Sequence, residues 1–244
     1  MERELQRLSW LKVRDLVPGQ IDTVILPVGT VEAHGTDCLG TDNIIPENIA
    51  HGIAERINAL IAPTMPFGIT KSLHRYDGCV TLRPETFGPC LADIMESFRD
   101  SSFRNVIIMN GHGGNNDVLK TVAHDWHRDH GLNICVIHWW ELCAEMTEEF
   151  FGHVGGHAGT DESAMVQAID ETLVDKEAYD PKQAWFFRHG ADVYPVPGSI
   201  LLYKEGEGLP EYDAEKSKQY RDKVIAAVGD FAELVLKRWR EQGL

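Results

Sequence analysis

Three short apolar runs, Val24–Val28, Val106–Met109 and Ile134–Ile137, constrain this 244-residue chain more than any other feature. None alternates with polar residues, and each gives way at once to a polar segment. A strand with no polar face must be covered on both sides, which is the condition of a parallel strand inside an α/β sheet. Helical spacing fills the intervals. Ile49, Ile53, Ile57 and Leu60 form one stripe, Phe87, Leu91, Ile94 and Phe98 a second, and Val118, Val122 and Trp126 a third that ends at Gly131. Tyr220, Val224, Val228, Phe231, Val235 and Trp239 form a last stripe, whose basic end, Lys237–Arg240, suits the negative pole of a helix. Leu60–Phe67 reads as a further strand, at an edge or strand end because Pro63 and Pro66 cannot donate to a ladder. Residues 180–213 hold four Pro and no clear period, so they read as loops with one short strand. The alternation predicts an α/β fold around a mainly parallel sheet. With no linker-like shift and no repeat, residues 1–244 are expected to form a single domain.

Composition narrows the function. Lys plus Arg number 23 and Asp plus Glu 38, a formal charge of -15. So acidic a surface repels phosphate backbones and anionic lipid, which argues against nucleic-acid and membrane partners. The N-terminus, MERELQRLSW, has no apolar core of a secretory signal, and no stretch approaches the ~18 apolar residues of a membrane span. Five cysteines without a Cys-x-x-Cys pair read as reduced thiols, so a cytoplasmic location is expected.

Ligands of open α/β sheets bind beyond the carboxyl ends of the strands, and four polar clusters fall there. Gly-Thr-Val-Glu32-Ala-His34-Gly follows the first run, and Asn110-Gly-His112-Gly-Gly-Asn115-Asn116 the second. His138-Trp139-Trp140-Glu141 follows the third, and Gly155-Gly156-His157-Ala-Gly-Thr-Asp161-Glu162 precedes a helix containing Ala164, Val166 and Ile169. Glu32 and His34, two apart on extended backbone, share a face and suit a divalent cation, or else merely pair with each other. Asp42 reads equally as a helix N-cap, a job Asn43 would also do. The glycines around His112 cradle no phosphate, because the loop has neither a phosphate-binding signature nor a Lys or Arg. They favour a turn that projects His112 inward as a ligand. His157 and Glu162 are candidates for acid–base work and carboxylate ligation, against a loop in which Thr160 or Asp161 caps the helix. His124, His127 and His130 read as a solvated helix face, and Trp139 and Trp140 as one core residue and one pocket wall. No nucleophilic serine elbow and no His-Glu-x-x-His motif exists, which points away from a side-chain nucleophile.

Four motifs stand in order across residues 24–170: Pro27-Val-Gly-Thr-Val-Glu-Ala-His-Gly, Leu39-Gly-Thr-Asp42, Asn110-Gly-His-Gly-Gly-Asn115 and His157-Ala-Gly-Thr-Asp-Glu162-Ser. In these the chain resembles the creatinine amidohydrolase (creatininase) family. The resemblance implies a three-layer α/β/α fold and two divalent ions of zinc, manganese or iron. It places Glu32 and His112 on one ion, His34 on the other, Asp42 between them and His157 as the proton-shuttling histidine; Glu162 is taken as the second ion's remaining carboxylate. It implies cleavage of a C–N bond in a small cyclic amide or formamide by a metal-bridging hydroxide, or of a peptide in some members, and a homo-oligomer, a hexamer in creatininase. Two divalent cations, three carboxylates and one hydroxide sum to neutrality, which suits burial. Rival readings are a non-catalytic α/β module that binds a small ligand and an isomerase that uses the same ions to stabilise an enolate.

Three departures stand out. Glu32 and Asp42 are ten residues apart where the family has eleven, and Gly114 replaces a carboxylate two residues beyond the loop histidine of creatininase. The family's Phe-Pro-Gly-Thr turn reads Tyr76-Asp77-Gly78-Cys79, and the Glu-His before it is replaced by Ser72-Leu73, with His74 one place off. That loop borders the substrate in relatives, so a different specificity is expected.

Overall fold

The three apolar runs are strands. In the computed structural model, which describes residues 1–244, the elements follow as α1 (Trp10–Leu16), β1 (Thr23–Val28), α2 (Thr41–Ile53), β2 (Ala59–Ile61) and α3 (Pro84–Asp100). Next come β3 (Asn105–Asn110), α4 (Asn116–His130), β4 (Asn133–His138), α5 (Trp139–Leu142), α6 (Ala144–Phe151) and α7 (Thr160–Ile169). The chain closes with β5 (Ala184–Phe186), β6 (Ile200–Leu202) and α8 (Ala214–Gln242). Strands β1–β4 form one sheet in the order β2-β1-β3-β4, parallel throughout. The central pair, β1 and β3, is buried at every position, and β4 at the edge only in part.

Burial on both faces follows from residue alternation. Val24, Leu26, Val28, Val106 and Ile108 meet Phe87, Leu91 and Met95 of α3 and Leu119 of α4. Ile25, Ile107, Met109 and Ile137 face the other way, into Ile45, Ile49 and Ile53 of α2, Met165 of α7 and Val224 of α8. Helices on both faces of a parallel sheet make the α/β/α sandwich that the resemblance implies, and the α/β alternation that the apolar runs predict. No helix is long and apolar enough to cross a membrane. All five cysteines are free thiols.

Three boundaries differ from expectation. Helix α2 stops at Ile53; Ile57 lies in the turn beyond it and Leu60 in β2, although both are buried. Strand β2 is an edge strand, as Pro63 and Pro66 require, but spans only three residues. The 180–213 segment carries two strands, β5 and β6, paired in parallel away from the main sheet.

The last stripe also needs correction. On α8 the buried line runs Tyr220, Val224, Val228, Ala232 and Leu236, whereas Phe231 is 36% exposed and Leu234 51%. Residue size suggested Phe231, but the face presented to α7 and α2 advances in steps of four and takes the smaller Ala232. Leu236→Ala is therefore expected to cost about 2–5 kcal/mol, and Phe231→Ala under about 1 kcal/mol, in urea unfolding. Equal losses would show that the exposed side of α8 also carries the fold.

Candidate functional site

Strand register sets the site. Val28 pairs with Asn110 and Asn110 with His138, so three strands end level and their loops leave the same edge. The loop after β1 folds back on itself, with the Glu32 N–H donating to Leu39 O (3.0 Å) and the Asp37 N–H to His34 O (2.7 Å). It delivers Glu32 and His34, both buried, to the start of α2. Asp42 lies in the first turn of that helix, where the helix dipole favours a carboxylate.

Asp42 is neither the N-cap nor replaced in that job by Asn43. Gly40 occupies the cap position, and Asn43 donates its amide to Thr30 O (2.9 Å) and Pro66 O (3.2 Å). The Asp42 carboxylate instead stands between two imidazoles, with Oδ1 3.0 Å from His34 Nε2 and Oδ2 2.9 Å from His112 Nδ1. Glu32 Oε2 is 3.3 Å from His112 Nδ1, and Glu162 Oε2 is 3.6 Å from His34 Nε2. The ten-residue spacing from Glu32 therefore still brings Asp42 to the centre.

Three of the histidines are oriented alike. His34 Nδ1 lies 2.9 Å from Glu32 O, His112 Nε2 3.1 Å from Ile69 O and His157 Nε2 2.8 Å from Ala33 O. Each of these nitrogens can only donate to a carbonyl, so the opposite nitrogen of each neutral ring turns a lone pair inward. His157 Nδ1 lies 3.8 Å from Glu32 Oε2, and its ring packs on His34 with centroids 4.2 Å apart. Its backbone is fixed from outside: His157 and Leu201 of β6 exchange N–H···O bonds of 3.1 and 2.9 Å.

The charges are strongly coupled. Burial alone would raise Asp42, but His34 and His112 hold it well below the usual carboxylate range. Burial raises Glu32, and raises Glu162 well above the ordinary value. It would lower His34 and His112, but the surrounding carboxylates win and lift His112 to about 9 and His34 well above its ordinary value. His157 goes the other way: burial, then the charge of His34, pushes it down to about 3. Asp42 Oδ2, although 2.9 Å from His112 Nδ1, is out of line for a well-formed hydrogen bond with it.

Two overlapping groups fit a cation: Glu32, Asp42 and His112, and His34, Asp42 and Glu162, each with ligand atoms within 4.8 Å of one another. A third, Glu32, His34 and His157, fits by the same measure. All six residues singled out in the sequence thus converge. His124, by contrast, stays on the exposed face of α4, where it pairs with Asp125.

A cavity of about 600 Å³ opens over this cluster. Its lining includes Trp140 and Thr147, Phe187, Leu201 and Tyr203, and Ser72 and Leu73. Trp139 is fully buried while Trp140 walls the cavity, which is the expected division, although both stand on α5 rather than on a strand end. Phe187, Leu201 and Tyr203 come from the 180–213 segment, where no periodicity marks them. Neither Thr160 nor Asp161, the two residues weighed as a helix cap, occupies that position, which Gly159 takes; Asp161 lines the cavity and accepts the Gly156 N–H (3.0 Å).

Comparison with known proteins identifies a family. The family model described as "Creatininase: Creatinine amidohydrolase" matches residues 6–229. This chain belongs to the creatininase family. A creatinine amidohydrolase of Pseudomonas putida is 25% identical over 211 residues, which cover 78% of this chain and 80% of that one. A mycofactocin precursor peptide peptidase of Mycobacterium tuberculosis is 26% identical over 110 residues, 41% of this chain and 43% of the other. A crystal structure of creatininase superposes with a TM-score of 0.81 at 21% identity, over 94% of this chain and 96% of that one. A zinc–zinc form (TM-score 0.80, 21% identity, 99% and 98% covered) and a manganese form (0.79, 20%, 99% and 99%) have the same fold. The family is hydrolytic.

The structure also explains one departure. A Cβ at Gly114 would fall on the carbonyl oxygen of Ile69 and crowd His112 Nε2, so this backbone admits no side chain there. Gly114→Ala must therefore break the His112–Ile69 bond or shift the loop. It is expected to lose at least about 2 kcal/mol in chemical unfolding, the range of other backbone clashes; an unchanged midpoint would show that the loop gives way freely.

Proposed function

We propose that this chain is a metal-dependent amidohydrolase that cleaves a C–N bond in a small cyclic amide or formamide. The observation that carries the reading is the setting of Asp42: each oxygen faces a different imidazole within 3.0 Å, and a further carboxylate completes each side. Lone pairs and carboxylates that converge in a dry site repel unless protons or cations lie between them. Glu32 and His112 would hold one divalent ion, His34 and Glu162 the other, with Asp42 bridging. Nitrogen and oxygen donors of this kind suit zinc, manganese or iron. Zinc–zinc and manganese forms of creatininase, named so in their structures, support the choice. Bound there, the ions would supply Lewis acidity that makes water a nucleophile near neutral pH and polarises an amide carbonyl.

The protein's own groups do the rest. Outer N–H bonds to Glu32 O and Ile69 O fix the tautomers of His34 and His112, as metal-ligating histidines require. His157, neutral and with Nε2–H held by Ala33 O, turns Nδ1 toward the cluster. There it takes a proton from the attacking water and returns it to the departing nitrogen as the C–N bond breaks, a role worth about 10²–10⁴ in rate. His157→Ala is expected to lower kcat by that factor on the best substrate from a panel of amides and formamides, with two metal equivalents retained per chain by elemental analysis. A fall to one equivalent would make His157 a ligand instead, as its place in the third group allows.

Proton competition supplies a second test. With His112 lifted to about 9 and His34 also raised, both rings of the metal-free chain carry protons at neutral pH that an incoming cation must displace. Metal affinity, followed by chelator competition, is therefore expected to climb from neutrality through pH 9. Affinity that is level across this window would remove these histidines from the ligand set.

A further inference from the structure

Asp37 is a buried acid that takes no part in the hydrolytic reading. It is only 8% exposed, lines no part of the cavity and belongs to none of the three groups that fit a cation. One donor meets its side chain: the buried Ser163 hydroxyl gives a hydrogen bond of 2.6 Å to Oδ2 across 126 positions of sequence, and Oδ1 has no partner. At that length the bond is well formed, and Ser163 is the single anchor of this carboxyl.

The main chain shows what the bond connects. The Asp37 N–H donates to His34 O at 2.7 Å, so the acid is tied to a ligand of the second ion. Ser163 follows Glu162, the other ligand of that ion, in the first turn of α7, where the Ser163 N–H donates to Gly159 O (2.9 Å). The segment beyond α7 meets the same loop: Asp37 forms a β-bridge with Val174, and the Asp175 N–H donates to Thr36 O (2.8 Å). His34 and Glu162 thus come from separate elements, and the 3.6 Å between their facing atoms depends on how the loop after β1 sits against α7. The first ion's pair, Glu32 and His112, involves no residue of α7. On the dinuclear reading, on which this inference rests, we propose that Asp37 is a positioning residue whose bond to Ser163 clamps that loop to α7 and holds His34 and Glu162 at the spacing that binds the second ion. The clamp needs an acceptor for the Ser163 hydroxyl, and an uncharged one should serve.

The test is chelator competition on the full-length chain loaded with two equivalents of zinc, which reads the release of each ion. Glu32→Gln and Glu162→Gln, each lacking one ligand, identify the first and the second release. Asp37→Ala and Ser163→Ala are each expected to weaken the ion marked by Glu162→Gln about 10–100-fold, the usual cost of losing a group that orients a ligand, and to leave the other within about threefold. The double variant should be no weaker than either single one, because both substitutions remove the same bond. Asp37→Asn keeps an acceptor and should restore most of the affinity. Ser163→Ala removes only a hydroxyl and carries the test should Asp37→Ala not fold. Equal weakening of both ions, additive losses in the double variant, or Asp37→Asn as weak as Asp37→Ala would each overturn the proposal. Two ions released from Ser163→Ala as from the wild type would overturn it and leave the hydrolase reading standing. A wild-type chain that takes up fewer than two ions would overturn the dinuclear reading and the clamp with it.

Discussion

The site depends on three main-chain carbonyls. Those of Glu32, Ala33 and Ile69 each bind the outer nitrogen of one imidazole and so decide which nitrogen looks inward. Because the acceptors are backbone, the orientation of His34, His112 and His157 follows from loop shape and not from another side chain that substitution could remove. The loops in turn follow from the sheet. Glu32 and Ala33 leave the end of β1, and Ile69 lies beyond β2, the strand hydrogen-bonded to β1. A slip in strand register would therefore rotate rings as well as move loops.

Electrostatics constrains the same cluster from the other side. Five carboxyl groups, those of Glu32, Asp37, Asp42, Asp161 and Glu162, are buried within a chain that is already strongly acidic. Burying one carboxylate is expensive, and burying several together is sustainable only with matching positive charge in the same space. In the metal-free chain, protons on His34 and His112 meet part of that need. The start of α2 adds its dipole at Asp42. A fold that tolerates this much internal negative charge is organised around what neutralises it.

Much of this was legible in the residues, for identifiable reasons. Strands β1 and β3 have no polar face, so their burial could be read directly, and Glu32 with His34 stood out because extended backbone places alternate residues together. Asp42 could not be decided locally. Whether it caps a helix or joins a cluster depends on Asn43, which turns to Thr30 and Pro66, and on His112, seventy positions away in sequence. Asp161 was obscured by the same ambiguity at a helix start. Phe187 and Tyr203 carried no signal, because they reach the cavity through pairing of β5 with β6 and of Leu201 with His157, and no local period encodes such contacts. The apolar stripe of α8 misled where size and period disagreed.

That pairing of Leu201 with His157 has an engineering consequence. Phe187 and Tyr203 of the cavity lining and the His157 ring belong to hydrogen-bonded segments of a single ribbon. Grafting the segment around β5 and β6 from another family member, in order to borrow its selectivity, would also import a new seat for the imidazole. The cavity lining and the seat of His157 are mechanically linked in this scaffold, and a chimaera that alters one has to be re-tuned for the other.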